Sequence, residues 1–210
     1  MTCYLIRHGK DDEAVRGGWS KSCLSDEGIA QAKNLSKYIL EHKDVLRIEK
    51  IFSSDLPRAA QTATSISEAL NLEIALMPEF RETNNGVLAG MQNEIADKLY
   101  PGLYWSALEW NEAYPQGESP CAFYERIKTA WEHFSEKILE DGKNVALFTH
   151  AGVINVIYTL IDGTIFSNKE KTKPIPYVAL IPLNYIDGKW SKATEDNHYG
   201  QHRTAQNRRV

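Results

Sequence analysis

The chain is poor in cysteine, lacks long apolar runs and has no strong excess of either charge, and each shortage closes off a class of function. Cys3, Cys23 and Cys121 are the three cysteines in 210 residues. They are odd in number, widely separated and without CxxC spacing, so a disulfide framework or thiolate metal cluster is not expected. The histidines show no HExxH or comparable ligand spacing, and the expectation is no metal and no cofactor. Basic residues number 24 against 28 acidic ones, a net charge of −4, which gives no electrostatic footprint for nucleic acid. The polar C-terminal run carrying Arg203, Arg208 and Arg209 reads as a solvated tail over about 200–210. No run is long enough to cross a bilayer, and Met1-Thr2-Cys3-Tyr4 lacks the basic segment and apolar core of a secretory signal. The expected setting is cytoplasmic, away from membranes.

What is present is an ordinary globular balance, 42% hydrophobic and 25% charged. It suits one domain spanning 1–210 with a substantial core. Cys3 to Ile6 is a short apolar run of the buried-strand kind, ending in Arg7-His8-Gly9. Ser25 is a candidate N-cap, with Asp26 and Glu27 in the first turn and Ile29, Ala32, Leu35, Ile39 and Leu40 at helical spacing to about His42. Lys50 to Ser53 reads as a second strand. A helix entered through Pro57 follows to about Leu70, and Leu72 to Leu76 is a third strand. This alternation predicts an α/β fold, a three-layer α/β/α sandwich around a mostly parallel sheet.

From Phe80 to about Ser119 glycine, proline and aromatic residues break the pattern, leaving a short helix from Gln92 to Leu99 and a small cap insertion. Two readings stand: a lid over a site at the strand ends, or a packing subdomain whose aromatics fill a local core. Beyond it, Ser119-Pro120 starts a helix to about Glu140. Asn144 to Phe148 is a strand ending in Thr149-His150-Ala151-Gly152, and a helix continues to about Leu160. Tyr177 to Ile181 is a further β-like run. Asp187-Gly188 signals a two-residue hairpin.

Parallel strands of an α/β sheet deliver their C-terminal ends to one edge, where ligands bind. Two strands here end in histidine followed by small residues, so His8 and His150 are predicted to share a crevice. Arg58, in the first turn of a helix that follows a strand, points to the same edge. With Arg7 it provides guanidinium forks for a dianion.

Several motifs together resemble the histidine phosphatase superfamily, of which phosphoglycerate mutase is a branch. They are Leu5-Ile6-Arg7-His8-Gly9, Gly18-Trp19 followed by Leu24-Ser25-x-x-Gly28-x-x-Gln31-Ala32, and Ser53-Ser54-Asp55-Leu56-x-Arg58-Ala59-x-Gln61-Thr62-Ala63. Arg81-Glu82 with Gly86 and Gly90, Gly117-Glu118-Ser119, Thr149-His150-Ala151-Gly152 and a weaker Asn197-His198 follow in order. The resemblance implies phosphomonoester hydrolysis of a small phosphorylated metabolite. His8 would be the nucleophile forming a phosphohistidine, and Arg7, Arg58 and His150 would bind the phosphoryl oxygens. Glu82 would protonate the leaving alkoxide and then deprotonate water. Within the same chemistry, mutase-type phosphoryl transfer is the alternative, although the similar mutases have a longer chain and insertion. A catalytically silent phosphate-binding module is a second alternative. A homodimer is left open.

Two departures from the family pattern stand out. Glu or Gln and then Ser or Thr often follow the first motif, and an asparagine lies a few residues on; here those positions are Lys10, Asp11 and Ala14. Altered substrate choice is one reading of the Lys10–Arg16 loop. A solvated loop that touches nothing is the other and the preferred one, with Arg16 free to enter the pocket. Ala151 replaces a usual glycine and is tolerable if its backbone stays right-handed.

Overall fold

The computed structural model describes residues 1–170 and 174–193. Its elements in chain order are β1 (Thr2–Arg7), α1 (Asp26–Glu41), α2 (Lys43–Leu46), β2 (Ile48–Ser53), α3 (Pro57–Leu70), β3 (Ile74–Leu76), α4 (Asn93–Leu99), α5 (Pro120–Asp141), β4 (Asn144–Thr149), α6 (Ala151–Asp162), β5 (Leu180–Ile186) and β6 (Lys189–Lys192). The strands make one mixed sheet in the order β3-β2-β4-β1-β5-β6. The four strands from β3 to β1 are mutually parallel, while β5 runs antiparallel to both its neighbours.

The period-two alternation of a strand sends successive side chains to opposite faces, and here both faces are covered. Cys3 and Leu5 of β1 join Val145 and Leu147 of β4 beneath Phe123, Ile127, Phe134 and Ile138 of α5 and Val153 and Ile157 of α6. Tyr4, Ile6, Ala146 and Phe148 face the other way, against Leu35 and Ile39 of α1 and Ala63 and Ile66 of α3. The expected three-layer α/β architecture is therefore present.

Local signals account for most element ends. The Ser25 hydroxyl accepts the Gly28 N–H at 3.1 Å, and Ser119 does the same for Ala122, each closing an N-terminal turn. Pro57 and Pro120 occupy first helical positions, where the missing N–H costs nothing. Gly142 ends α5 at φ +65°, and Asp187-Gly188 turns the last hairpin with both residues at positive φ.

Three boundaries differ from expectation. The third strand is shorter, Ile74–Leu76, and α2 had no sequence signal. The run from Tyr177 is not continuous strand: Val178 sits at φ 52°, and β5 begins only at Leu180. That turn leaves Tyr177 near the sheet edge.

The cap insertion is built from 3₁₀ turns at Pro78–Phe80, Gly86–Leu88 and Trp105–Ala107 together with α4. Leu88, Ala96, Leu108 and Tyr114 form its own small core. That cluster fits the packing reading, and Trp105 and Tyr114 also line a cavity with Glu82 and Gly152. The Asn197-His198 element and the arginines of the C-terminal tail lie outside the described residues. Among the described residues no helix is long and apolar enough to cross a membrane.

Candidate active site

Register places the two histidines. Arg7 of β1 pairs with Thr149 of β4 across the parallel ladder, so the next residue of each strand leaves the sheet at the same edge. The His8 and His150 rings lie 5.1 Å apart, centroid to centroid. Ser53 at the end of β2 pairs with Phe148, and α3 starts four residues later, bringing Arg58 to the same point. Arg58 is 2% exposed.

The tautomer of His8 is determined by its partners. Nδ1 lies 2.7 Å from the Gly9 carbonyl, which can only accept, and Arg58 Nε, which can only donate, lies 3.3 Å from Nε2. The proton is on Nδ1, and Nε2 holds a lone pair facing the arginine. Burial, reinforced by Arg58 and Arg7, holds His8 well below the ordinary imidazole range. The ring is neutral at neutral pH. His150 is shifted in the same direction, by burial and then by Arg58 and His8. Its Nε2 is 2.9 Å from the Ser54 hydroxyl, while its Nδ1 is buried without a hydrogen-bond partner, as is Arg7 Nε.

The guanidinium forks are less free than the sequence suggested. Arg58 Nη2 donates to the Gly18 carbonyl at 2.7 Å and Nη1 faces the Ser20 hydroxyl at 3.3 Å. Arg7 Nη1 donates to the Ile175 carbonyl at 2.5 Å, and its Cζ stands 3.8 Å over the Tyr177 ring. The loop carbonyls fix both cations in place, and Arg58 turns its Nε edge toward His8.

Glu82 arrives from the cap on a braced loop. Its Oε2 accepts the Gly152 N–H at 3.1 Å and its Oε1 the Thr83 N–H at 3.0 Å. The Glu82 carbonyl accepts from the Trp19 indole at 2.6 Å and from Arg126 Nη2 at 3.1 Å. Arg126 also holds the Glu79 and Arg81 carbonyls and pairs with Glu118 at 2.7 Å. Gly18-Trp19 therefore joins the two sides of the site: one carbonyl on Arg58, one indole on the Glu82 backbone. All five predicted residues, Arg7, His8, Arg58, Glu82 and His150, meet at this edge.

Sequence reasoning missed Arg126, Tyr177 and Asp11. Arg126 sits beside the apolar stripe of α5 and gives no motif of its own, although Glu118 in the Gly117-Glu118-Ser119 motif was a cue to its partner. The Lys10–Arg16 loop is not a solvated segment that touches nothing. Asp11 is 9% exposed with Oδ2 3.4 Å from Arg58 Nε, and Glu13 accepts the Tyr177 hydroxyl at 3.1 Å. Arg16 does not enter the pocket, because it pairs with Asp97 and stacks on Tyr104. Ala151 begins α6 with right-handed backbone and is accommodated.

Next to Glu82 lies a cavity of about 310 Å³. The rings of Trp105, Tyr114, Phe123 and Phe166 line it, with Thr83, Asn85 and Asn155 as its neutral polar groups. Among the described residues no lysine, arginine or histidine lines it. The cations around it are committed elsewhere: Arg81 to Asp55, Arg126 to Glu118 and Arg16 to Asp97. Among the described residues no three histidine, cysteine or acidic side chains are grouped to hold a metal.

A neutral imidazole with a directed lone pair, two fixed guanidinium groups and a carboxylate on the opposite wall can hold a phosphoryl group and exchange protons with its ester oxygen. The family model for the histidine phosphatase superfamily, branch 1, matches residues 3–197. The chain belongs to that superfamily. It is 27% identical over 203 residues to a metal-independent phosphoserine phosphatase of Arabidopsis thaliana, covering 93% of this chain and 83% of the relative. A probable phosphoglycerate mutase of Yersinia pestis is 28% identical over 202 residues, 90% of this chain and 87% of that one. Among solved structures, a mycobacterial glucosyl-3-phosphoglycerate phosphatase aligns at a TM-score of 0.74 and 23% identity, covering 92% of this chain and 97% of the other. Relatives named for hydrolysis and for mutase chemistry thus share this fold or sequence, and the name alone does not choose between them.

Proposed function

We propose that the protein is a phosphomonoester hydrolase acting through a phosphohistidine on His8, with a small phosphorylated metabolite whose leaving group is uncharged and ring-bearing. The observation that carries the chemistry is the His8 tautomer: the Gly9 carbonyl accepts the Nδ1–H hydrogen bond, which leaves the Nε2 lone pair facing Arg58 Nε. Attack by Nε2 on phosphorus breaks the ester P–O bond. Arg7, Arg58 and His150 bind the phosphoryl oxygens as charge redistributes, and Glu82 gives its proton to the departing alkoxide. In the second half-reaction Glu82 takes a proton from water, whose oxygen attacks phosphorus and frees His8. Inorganic phosphate is released.

The cavity beside Glu82 supports the choice of substrate. Among the described residues a leaving group there meets four aromatic rings and neutral amide and hydroxyl groups, and no cation. The carboxylate of a phosphoglycerate, or of phosphoserine, would be desolvated without an opposite charge. An uncharged ring bearing hydroxyls would stack and hydrogen-bond. A panel of phosphomonoesters tests this, with free phosphate and isomerised ester both measured. The reading predicts the highest kcat/KM for uncharged ring-bearing esters and phosphate as product. Efficient interconversion of phosphoglycerate isomers would instead establish the mutase reading, which the Yersinia pestis relative's name favours.

A further inference from the structure

One ionisable group in the crevice has no part in that mechanism. Asp11 lies on the loop after β1, with Oδ2 3.4 Å from the same Arg58 Nε that faces His8 Nε2. A carboxylate is thus seated where an anionic substrate is to bind. The two are nearly buried, Arg58 at 2% and Asp11 at 9% exposure. Asp11 is not needed to orient the guanidinium, because Gly18 and Ser20 already hold its Nη groups. What Asp11 supplies is charge: a buried guanidinium without a counter-ion is costly.

The charged and titratable groups that act electrostatically on Asp11 come from several elements. Arg7 comes from the end of β1, Arg58 from α3, Glu13 from its own loop, and Tyr177 from the turn before β5. Glu82 acts on Arg58 from the cap side. His8 is neutral. With Asp11 ionised, its carboxylate offsets the Arg58 charge before a dianion arrives. A proton taken up by Asp11 frees that charge and turns a repelling oxygen into a donor for a phosphoryl oxygen.

We propose that Asp11 is the resting counter-ion of the phosphate site, neutralising Arg58 while the site is empty and taking up a proton when a tetrahedral dianion binds. The inference rests on the phosphate-handling reading above and adds a specificity-determining residue to it. Burial favours the protonated form of Asp11, while Arg58 opposes it, so a dianion that takes over Arg58 removes the influence that keeps Asp11 ionised. Dianion affinity should then fall as pH rises, independently of any ionisation of the ligand.

Sulfate tests this, because its charge stays constant across the range. Sulfate is titrated calorimetrically into the full chain at several pH values in buffers of different ionisation enthalpy, which reads protons taken up per anion bound. The wild type should take up more protons per sulfate bound than Asp11→Asn. Asp11→Asn should bind sulfate on the order of tenfold more tightly at pH 7.5 and with a flatter pH dependence. Asp11→Ser serves as an independent variant, and both are checked by thermal melting. Proton uptake and pH slope equal to wild type in a folded variant would overturn the proposal for Asp11 alone. Failure of sulfate to bind the wild type would overturn the anion-site reading together with it.

Discussion

Gly152, the second residue of α6, donates its backbone N–H to Glu82 Oε2 at 3.1 Å, and a Cβ built at Gly152 would overlap Glu82 Oε1. The glycine after His150 is thus tied to the carboxylate from the cap by both a hydrogen bond and lack of space. Gly152→Ala should keep the fold at little cost, because only the end of the Glu82 side chain has to move and alanine suits a helix better than glycine. It should lower kcat on the order of a hundredfold by moving the carboxylate. Thermal melting and steady-state kinetics read the two effects separately; an unchanged kcat would show that Glu82 needs no such seat.

Glu82→Gln separates proton donation from structure. An amide keeps one acceptor oxygen, enough for the Gly152 N–H but not also for the Thr83 N–H, and cannot give a proton to an alkoxide. Alkyl phosphates should lose about 10²- to 10⁴-fold in kcat, and aryl phosphates, whose leaving group needs little protonation, far less. Equal losses on the two ester classes would make Glu82 a structural residue.

Arg58→Lys keeps the charge and loses the fixed geometry. An ammonium cannot donate at once to Gly18, Ser20 and His8 as the guanidinium does. A fall in kcat/KM on the order of a hundredfold is expected, measured with an aryl phosphate so that proton donation is not limiting. Full activity in this variant would mean that charge alone suffices at the site.

The neutral histidines also set a pH dependence of stability. Burial and the two arginines hold His8 and His150 well below the ordinary range in the folded chain, while unfolding returns each to about 6.5. As pH falls below that value the unfolded state binds more protons, so stability is present above it and declines toward acid. The slope is up to about 1.4 kcal/mol per pH unit for each group. Urea denaturation between pH 7.5 and 5 should give a shallower decline for His8→Asn than for the wild type. Parallel profiles would contradict the assignment of a buried neutral His8.

The layers of the fold were legible because they follow from periodicity. Apolar spacing marked β1, α1, α5 and β4, Pro57 marked the start of α3, and capping residues such as Ser25 and Ser119 marked where other helices begin. His8, His150 and Arg58 were legible for the same reason: each stands at the end of a readable strand or the start of a readable helix. Tyr177 was not, because the positive φ at Val178 that turns it toward Arg7 is imposed by packing rather than by glycine. Arg126 and Asp11 were missed because their partners are set by tertiary approach. Arg126 braces loop carbonyls more than forty positions away, and Asp11 meets Arg58 across a similar separation. A charge-rich stretch such as Lys10 to Glu13 gives no sign of which member turns inward. The cavity beside Glu82 joins residues from the cap, α5, α6 and the segment after α6, a convergence that no local pattern encodes.

The phosphohistidine is the claim on which the rest depends, and it can be seen directly. The full chain is mixed with an aryl phosphate, quenched within the first turnovers under conditions that preserve phosphohistidine, and weighed intact, alongside His8→Ala. One added phosphoryl group on the wild type, mapped to His8 and absent from His8→Ala, is the predicted result. Turnover by the wild type with no trapped phosphoryl group, or a label that survives in His8→Ala, would contradict it.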